Sequence, residues 1–586
     1  MSSTGLRAGG VVLCALLLAH AAFYGFLCDD AFISFRYARN LVEGHGLVFN
    51  PGDPPVEGYT NLLWVLLLAL GNALGVDSEI GAPVLSLVAS AALLARVAAF
   101  AERERLPGEP WPLCLAAPLL LAATRSFAVW STSGLETRLF ELLVVCAVLE
   151  LRAEVGAAAP RARSALPLSS LLFAAACWTR PDGILIAGCC YAVALALGSG
   201  RERRRETSLS LQLWLAGVGL QLGFRLLYYG DFVPNTFHAK VGGRLWPEMG
   251  LAYAEAFALE YALWLWLPAA LLGALWRLRR GDRLVPALFA AALLPHAAYV
   301  IAIGGDHFEY RPFDLCFPFL YLLAADALRA LVALGNRARL SALALFGLGL
   351  CLLVELPYRS HLGFPERYRP GFPGARAFAP PSGYLVPSDA WLYSLPLLRG
   401  LAARHRERLF ELTGHFVGLR AEEHRLFAET AHREGHALAR LVSAGLLPRD
   451  THIATDAVGA IPYDSRLRTL DRLGLTDAVV ARSDFVRPEL LGHGKSASLD
   501  YARAIGVDLW AIHPVHLLWL PRDPGLPDLL VPWREQGLEL HFAGVGHGLF
   551  LIAHLPQGVE RARERFPRLD WRSVFDPAAA AELLAD

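Results

Sequence analysis

The sequence predicts an α-helical, polytopic membrane protein that carries a soluble α/β domain at its C-terminal end. Of its 586 residues, 55% are hydrophobic, which exceeds the usual apolar share of a soluble domain. The apolar residues dominate up to about Glu355 and become sparser beyond it. We therefore expect a membrane domain at 1–357 and a soluble domain at 358–586.

Eleven segments are apolar over roughly the length that crosses a bilayer, about 17–25 residues. They lie at 8–27, 78–100, 111–127, 137–152, 165–179, 183–199, 208–228, 257–276, 285–303, 315–333 and 341–357. The first is followed by no A-x-A cleavage signal, so we expect it to be retained as a helix. A further apolar stretch at 58–74 is predicted to lie along the membrane surface.

Positive charge predicts the orientation of these segments. Arginines gather in short connections near 103–105, 152–163, 201–205, 277–283 and 337–339, which indicates the cytoplasmic side. The polar-rich loops then fall on the outer side, at 29–59, 133–137, 179–183, 228–240 and 304–313. Eleven spans place the C-terminal domain outside as well. With 54 basic and 54 acidic residues, nothing in the net charge points to nucleic acid.

The C-terminal part combines helical and strand-like segments. A Pro/Gly-rich linker at 363–388 precedes a helical region at 389–444, and strand-like runs follow at 452–457, 509–513 and 549–554. None of the nine cysteines lies here, which excludes a disulfide framework in this part. His424, His432 and His436 are expected on a solvated helix face; for the last two, four residues apart, a metal-binding face is the alternative.

Asp29 and Asp30 stand at the end of the first apolar run and are the most informative residues of the chain. Carboxylates at the edge of a lipid-spanning segment are costly to desolvate, so the pair indicates a ligand site at the membrane surface. A helix is predicted over 30–43, ended by Gly44. Helical spacing puts Asp29 and Arg36 on one face, where they could hold a common ligand. The alternative is that one acid caps the helix and Arg36 pairs with it.

Several sequence blocks resemble a known family. The run DDAFISFRYARNL…GHGLVFNPGDPPVEGYTNLLW, from Asp29 to Trp64, is similar to the first outer loop of polytopic GT-C type glycosyltransferases. Within them it is most similar to the mycobacterial terminal β-(1→2)-arabinofuranosyltransferase family. SGLET, TRPDG, YYGDFVPNTFHAK and GGDH resemble further blocks of that group, as does DAVGAIPYDSRLRTLDRLGLTD at 456–477.

The resemblance implies an enzyme that transfers a sugar from a polyprenyl-phosphate carrier to an acceptor hydroxyl outside the plasma membrane. It implies an acidic motif at Asp29 and Asp30, two juxtamembrane helices at 30–43 and 58–74, and a second outer acid at Glu136. The acceptor hydroxyl is a weak nucleophile, so one aspartate is expected to remove its proton. Direct attack predicts inversion at the anomeric carbon.

The other polar residues of the outer loops are candidates for substrate binding. Lys240, Arg311, Arg180 and Arg36 could hold the phosphate, although arginine and lysine near a bilayer also reach toward headgroups without a ligand. Sugar contacts are expected from Asn235, His238, Asp306 and His307, and a polar pocket from His45, Glu57 and Tyr59. For each of these a turn, cap or helix-start role is the alternative. Asp306 and His307 could also join Asp29 or Asp30 around a divalent ion, but no cofactor is expected to be required.

Other functions remain open at this point. A different member of the superfamily would move mannose or another hexose. A transporter or flippase for lipid-linked sugars would have its site near mid-membrane and repeated halves, neither of which is plain in this sequence. A silent binding subunit would not need the paired aspartates. The sugar, the acceptor and the role of the C-terminal domain are not predicted.

Overall fold

The structure is a computed structural model that describes residues 3–107, 109–156, 166–198, 200–362, 396–512, 517–519, 526–546, 548–576 and 578–579. The predicted linker at 363–388 lies outside these residues. The division of the chain at 357 therefore stays a prediction.

Residues 3–362 are built from helices joined by short loops. The helices are α1 (Ser3–Tyr24), α2 (Asp29–Val42), α3 (Leu62–Ala73), α4 (Ser78–Arg103), α5 (Ala116–Ala123), α6 (Arg125–Val129), α7 (Thr137–Gly156), α8 (Leu168–Thr179), α9 (Gly183–Leu197), α10 (Arg201–Tyr229), α11 (Asn235–Lys240), α12 (Pro247–Glu260), α13 (Leu263–Arg279), α14 (Leu284–Ala302), α15 (Cys316–Ala333) and α16 (Asn336–Leu362). Short 3₁₀ turns at Trp111–Leu115 and Arg311–Leu315 lead into α5 and α15.

Residues 396–579 combine helices with two small sheets. The helices are α17 (Pro396–Gly414), α18 (Ala421–Ser443), α19 (Ala460–Ser465), α20 (Ala478–Ala481), α21 (Leu499–Ala504), α22 (Leu526–Glu535) and α23 (Val559–Arg565). The strands are β1 (His452–Thr455), β2 (Arg468–Asp471), β3 (Leu509–Trp510), β4 (Leu518–Trp519), β5 (His541–Gly546), β6 (Leu549–Ala553) and β7 (Arg572–Ser573). The three strand-like runs of the sequence thus form β1, β3 and β6.

The first sheet is parallel and the second is antiparallel. The parallel sheet has the order β2-β1-β3, with Ala454 opposite both Leu470 and Trp510. The antiparallel sheet has the order β4-β6-β5-β7, with Phe542 opposite Ile552. Because the strands of a parallel sheet all end at one edge, the segments after β1, β2 and β3 are brought together.

Every predicted apolar span coincides with a helix or with two consecutive helices. Three helical segments are long and apolar enough to cross a bilayer alone, namely Ser78–Arg103, Leu284–Ala302 and Arg311–Ala333. Two bent pairs, α1 with α2 and α12 with α13, raise the number to five within the described ranges. The count of eleven spans therefore stays a prediction.

Two bends shape the end of the helical part that carries the predicted outer loops. The chain turns by 101° between α1 and α2, so α2 does not continue the direction of the first apolar helix. This agrees with a juxtamembrane helix at 30–43. The predicted span 257–276 is not one straight helix, because α12 and α13 meet at 84° and Ala262 has a left-handed backbone with φ 52°.

The first outer loop and the C-terminal part share one hydrophobic core. Phe35 and Trp64, from α2 and α3, belong to the same buried cluster as Ile453 and Leu509, from β1 and β3. A separate cluster fills the helical part between α4, α7, α14 and α15. The first outer loop is therefore packed as part of the α/β portion as much as of the helical one.

Hydrogen bonds join the same two regions. Arg36 donates to the carbonyl oxygens of Pro462 and Leu467, the latter at 3.0 Å. Asn50 donates to the Thr469 carbonyl at 3.0 Å and accepts the Thr469 N–H at 3.1 Å. Both side chains are buried, and each bond crosses more than 400 positions of sequence. These contacts fix the position of 459–477 against the first outer loop.

Candidate active site

A cavity of about 680 Å³ lies where the outer loops of the helical part meet the C-terminal part. This volume falls within the range of small-molecule sites, roughly 300–1,000 Å³. Its wall includes both aspartates of α2, the loops at 134–136 and 180–184, and the segment 304–312. The C-terminal part contributes the start of α18 and the segment 485–493.

The two adjacent aspartates have different surroundings. Asp29 is only 7% exposed, and its carboxylate accepts the backbone N–H groups of Gly459 at 3.2 Å and Ala460 at 2.9 Å. The Asp30 carboxylate is 35% exposed, and one of its oxygens lies 3.9 Å from Lys240 Nζ. Asp30 is therefore open to a ligand in the cavity, whereas Asp29 anchors the start of α19.

The expected cap of α2 by one of these acids is wrong. Cys28 occupies the N-cap position and makes no side-chain cap hydrogen bond, while Asp29 and Asp30 lie in the first turn. The carboxylate of Asp29 instead satisfies amides at the start of α19, where backbone N–H groups lack helical partners. Burial raises the pKa of Asp29 from 3.8 to about 7, and the neighbouring charge of Asp30 adds to this shift.

Two arginines of the cavity wall are held by acidic side chains. Arg180 lies 3.3 Å from a Glu136 oxygen and 3.1 Å from an Asp182 oxygen. Arg311 lies 3.5 Å from Asp306 and 3.9 Å from Glu136. Glu136 is thus a buried carboxylate between two guanidinium groups, which orients both toward the cavity.

Three histidines from separate segments form one side of the cavity. The ring of His307 lies 5.0 Å from that of His424 and 4.7 Å from that of His493. His424 is 7% exposed, and its Nε2 has no hydrogen-bond partner among the described residues. Burial lowers the pKa of His424 to about 4 and lowers the pKa values of His307 and His493 as well. These imidazoles are neutral at physiological pH and suit hydroxyl groups rather than phosphate.

The ends of the parallel strands also face the cavity. Asp456 follows β1, Arg472 follows β2 and Ile512 lies shortly after β3, and all three line the wall. Asp456 and Arg472 form an ion pair of 3.0 Å. Ligands of open parallel sheets bind at this edge, so the position agrees with a binding site.

One flank of the cavity is apolar and partly open. Phe232 and Phe237, from the segment around α11, line it and are 63% and 40% exposed. Leu222, Tyr299 and Ile303 also line the cavity. An apolar wall that continues to an exposed surface suits the hydrocarbon part of a lipid.

Most of the residues singled out in the sequence line this cavity. They are Asp29, Asp30, Tyr59, Glu136, Arg180, Lys240, Asp306, His307 and Arg311. The cavity also contains His424, His493 and Asp456, which the sequence did not single out as site residues. The expectation of a solvated helix face is wrong for His424, because this side chain is buried.

Five candidate residues do not line the cavity. Arg36 binds backbone carbonyl groups of 462 and 467, and Glu57 is buried in an ion pair with Arg225 at 2.6 Å. Asn235 donates to the carbonyl groups of 474 and 475, and His238 lies 3.0 Å from an Asp231 oxygen. His45 is exposed in a turn between two glycines with positive φ.

Four of these side chains, all except the exposed His45, bind other parts of the protein. They join the loops to each other, to α10 or to 459–477, since buried carbonyl groups and charges need partners. Sequence spacing does not distinguish such an anchor from a ligand contact. Asp306 and His307 do not converge with the aspartates of α2 into a group of metal-ligating atoms within the described residues.

Comparisons with known proteins show what this chain is similar to. A family model described as a domain of unknown function (DUF8728) matches residues 423–541. The curated terminal β-(1→2)-arabinofuranosyltransferase of Mycobacterium tuberculosis is 32% identical over 258 residues, 41% of this chain and 39% of the relative. That of Corynebacterium glutamicum is 30% identical over 321 residues, 49% of this chain and 46% of the relative. Each match spans less than half the length of the relative.

A solved structure shows the fold. This chain is similar in structure to ArnT from Cupriavidus metallidurans, whose crystal structure was solved with undecaprenyl phosphate bound. The match covers 94% of this chain and 98% of the ArnT chain, with a TM-score of 0.57 and 14% sequence identity. The chain therefore has the fold of ArnT and is similar in sequence to terminal β-(1→2)-arabinofuranosyltransferases, which confirms the predicted resemblance to the GT-C type glycosyltransferases.

Proposed function

We propose that this protein is a membrane glycosyltransferase that transfers a sugar from a polyprenyl-phosphate carrier to an acceptor hydroxyl, with inversion. One observation carries the proposal: the open carboxylate of Asp30 shares a cavity with Lys240, Arg180 and Arg311, beside an apolar flank. A base, phosphate-binding cations and a lipid surface are what this reaction needs in one place.

Asp30 is the proposed general base. Geometry decides between the two aspartates, because a base must reach the proton that it removes. Asp30 faces the cavity, whereas both oxygens of Asp29 accept amide N–H groups. The raised pKa of Asp29 would by itself suit a base, but that carboxylate is used to hold the start of α19.

The reaction balances without a cofactor. The acceptor oxygen attacks the anomeric carbon as its proton passes to the Asp30 carboxylate. The bond between the anomeric carbon and the phosphate oxygen breaks, and the electron pair leaves with the polyprenyl phosphate. Lys240, Arg180 and Arg311 stabilise the negative charge of that phosphate.

The neutral histidines are proposed to bind sugar hydroxyl groups. Neutral imidazoles can donate or accept a hydrogen bond, and His424 Nε2 has no partner among the described residues. Arabinofuranose is the first sugar to test, because relatives with that name match parts of this chain. A hexose such as mannose is the alternative substrate of the same site.

The active site is proposed to lie on the extracytoplasmic face of the plasma membrane. The arginine-rich connections of the helical part predict the cytoplasmic side, and the cavity is built from the opposite loops. The acceptor is then a glycan or glycolipid outside the cell.

The test is sugar transfer by purified full-length protein. Polyprenyl-phospho-arabinofuranose, -mannose and -glucose, each radiolabelled, are offered with glycan acceptors to the wild type and to Asp30→Asn. We expect transfer from one carrier and a loss of about 10²–10⁴-fold in the variant. Glu43→Gln is the matched control, since Glu43 ends the same helix, faces Arg466 at 3.1 Å and is absent from the cavity wall. Wild-type protein that is inactive with all three carriers, or an Asp30→Asn variant with the wild-type rate, would show the proposal to be wrong.

A further inference from the structure

A second cluster of titratable groups lies outside the cavity, between α18 and α19. His432 and His436 are one turn apart on α18, with ring centroids 4.2 Å apart and Nε2 atoms 3.0 Å apart. On the other side of His432, its Nδ1 lies 2.8 Å from an oxygen of Asp464 on α19. Each of these three residues offers one possible ligand atom, and these atoms lie within 4.8 Å of one another.

The distances agree with coordination by the two imidazoles. Two nitrogens bound to a tetrahedral zinc ion at about 2.0–2.1 Å are about 3.3 Å apart, close to the observed separation of the Nε2 atoms. Two lone pairs facing each other at this distance need a proton or a metal ion between them. His436 is exposed and His432 is partly exposed, so the position between them is accessible.

Asp464 has the position of an orienting carboxylate. Metal-binding histidines commonly donate the other ring N–H to a carboxylate, which fixes the tautomer and raises the basicity of the ligand nitrogen. Asp464 is 3% exposed, and Glu79 adds negative charge near His432. A buried carboxylate beside a second acid favours a cation at this place.

We propose that His432 and His436 bind one divalent transition-metal ion of the zinc type through their Nε2 atoms, with Asp464 as the positioning residue of His432. Water completes the coordination. Nitrogen ligands favour zinc, nickel or copper over magnesium and calcium.

The site is connected to the aspartates by α19. The N–H groups of Gly459 and Ala460, at the start of this helix, are the hydrogen-bond donors to Asp29. Asp464 belongs to the same six-residue helix, and an added Cβ at Gly435 of α18 would lie 2.8 Å from its Cβ. The contact between Asp464 and His432 therefore joins the proposed metal site to the helix that holds Asp29, outside the cavity.

The test is metal binding by full-length protein that is free of an affinity tag and stripped with EDTA. Titration calorimetry with zinc chloride is expected to show one ion per chain, with magnesium chloride giving no binding. His436→Ala is expected to weaken zinc binding by at least about tenfold, and Asp464→Asn by about 10–100-fold. Arg433→Ala, an exposed position on the same helix, is the matched control and is expected to bind like the wild type.

The outcomes separate clearly. Thermal unfolding without zinc shows that each variant is folded, and His436→Gln serves as a second variant of that exposed position. The site is supported if the wild type binds one zinc ion per chain and both His436→Ala and His436→Gln bind zinc more weakly. Absence of zinc binding to the stripped wild type, or equal binding by wild type and His436 variants, overturns it. Because sugar transfer is not measured, failure of the proposed function would leave this result unaffected.

Discussion

The adjacent aspartates are expected to respond differently to the same substitution. Asp29→Asn keeps the size of the side chain but replaces one carboxylate oxygen by an NH₂ group. Both oxygens of Asp29 accept backbone N–H groups, at 2.9 Å and 3.2 Å. The new NH₂ group therefore faces an N–H donor. Gly459 packs closely against Asp29, since an added Cβ at Gly459 would lie 1.9 Å from the Asp29 carbonyl oxygen.

The cost at low pH follows from these two bonds. Near pH 5 the carboxyl group of Asp29 is protonated, because its pKa is about 7, but its hydroxyl oxygen keeps a lone pair for the second N–H, which the NH₂ group of asparagine lacks. Asparagine retains one acceptor, so one hydrogen bond is lost and one buried amide N–H is left without a partner. Leaving this buried donor without its partner costs about 1–3 kcal/mol in all. We expect the free energy of unfolding of Asp29→Asn to lie about 2 kcal/mol below that of the wild type near pH 5.

This difference is expected to shrink as the pH rises. The pKa of Asp29 is about 7 in the folded protein against an ordinary 3.8, so the folded state binds more protons than the unfolded state between these values. The stability of the wild type therefore falls as the pH rises through this window. One pKa unit corresponds to about 1.4 kcal/mol, and Asp29 is half ionised at pH 7, so the loss between about pH 5 and pH 7 is about 2 kcal/mol. Asparagine does not titrate, and the variant should equal or exceed the wild type near pH 8.

Thermal unfolding of detergent-purified protein, followed by tryptophan fluorescence between about pH 5 and pH 8, measures this difference. Asp30→Asn is the paired comparison, because its carboxylate is partly exposed; we expect an unchanged midpoint but a large loss of sugar transfer. A midpoint difference for Asp29→Asn that stays constant or widens with rising pH would refute the assignment of Asp29 as a buried anchor with a raised pKa.

Three further substitutions test the surroundings of the cavity. Glu57→Gln leaves the buried guanidinium of Arg225 without its ion pair, so the free energy of unfolding should fall by about 3–5 kcal/mol, and the thermal midpoint should fall with it. Adding Arg225→Leu removes the unpaired charge and should restore part of the lost stability. Glu136→Gln weakens the ion pairs that orient Arg180 and Arg311, so KM for the lipid-linked donor should rise about tenfold, with a smaller change in kcat. A change in kcat alone would contradict this role. His424→Ala should weaken sugar binding by about 1 kcal/mol, measured as a higher KM. Because the pKa of His424 is about 4, the ratio of the variant KM to the wild-type KM should not vary between about pH 5 and 8.

The helices were predictable because long apolar runs are a strong signal. Every predicted span falls on one helix or on consecutive helical segments, and α2 and α3 lie at the sequence positions where the two juxtamembrane helices were expected. The break between α12 and α13 was not predictable. It depends on a left-handed backbone at Ala262, and alanine gives no sign of that conformation in a sequence.

The site residues could be predicted from the sequence only where they belong to a short, distinctive sequence motif. Asp30, Glu136 and Arg311 stand in unusual outer loops, and charge patterning placed these loops on one side. His424 and His493 reach the cavity from segments far along the chain, and neither has a local signal. Their roles depend on tertiary contacts, which single-sequence spacing does not contain.

The hydrogen bonds across the chain argue against treating the C-terminal part as an appendage. Arg36, Asn50 and Asn235 each direct their side-chain donors to backbone carbonyl groups between 462 and 475. Asp29 adds a carboxylate that binds the amides at the start of the same segment. The block at 456–477 is therefore the binding partner of the first outer loop. This explains why both blocks have a distinctive sequence: each supplies the polar groups that the other must satisfy when the cavity wall between them forms.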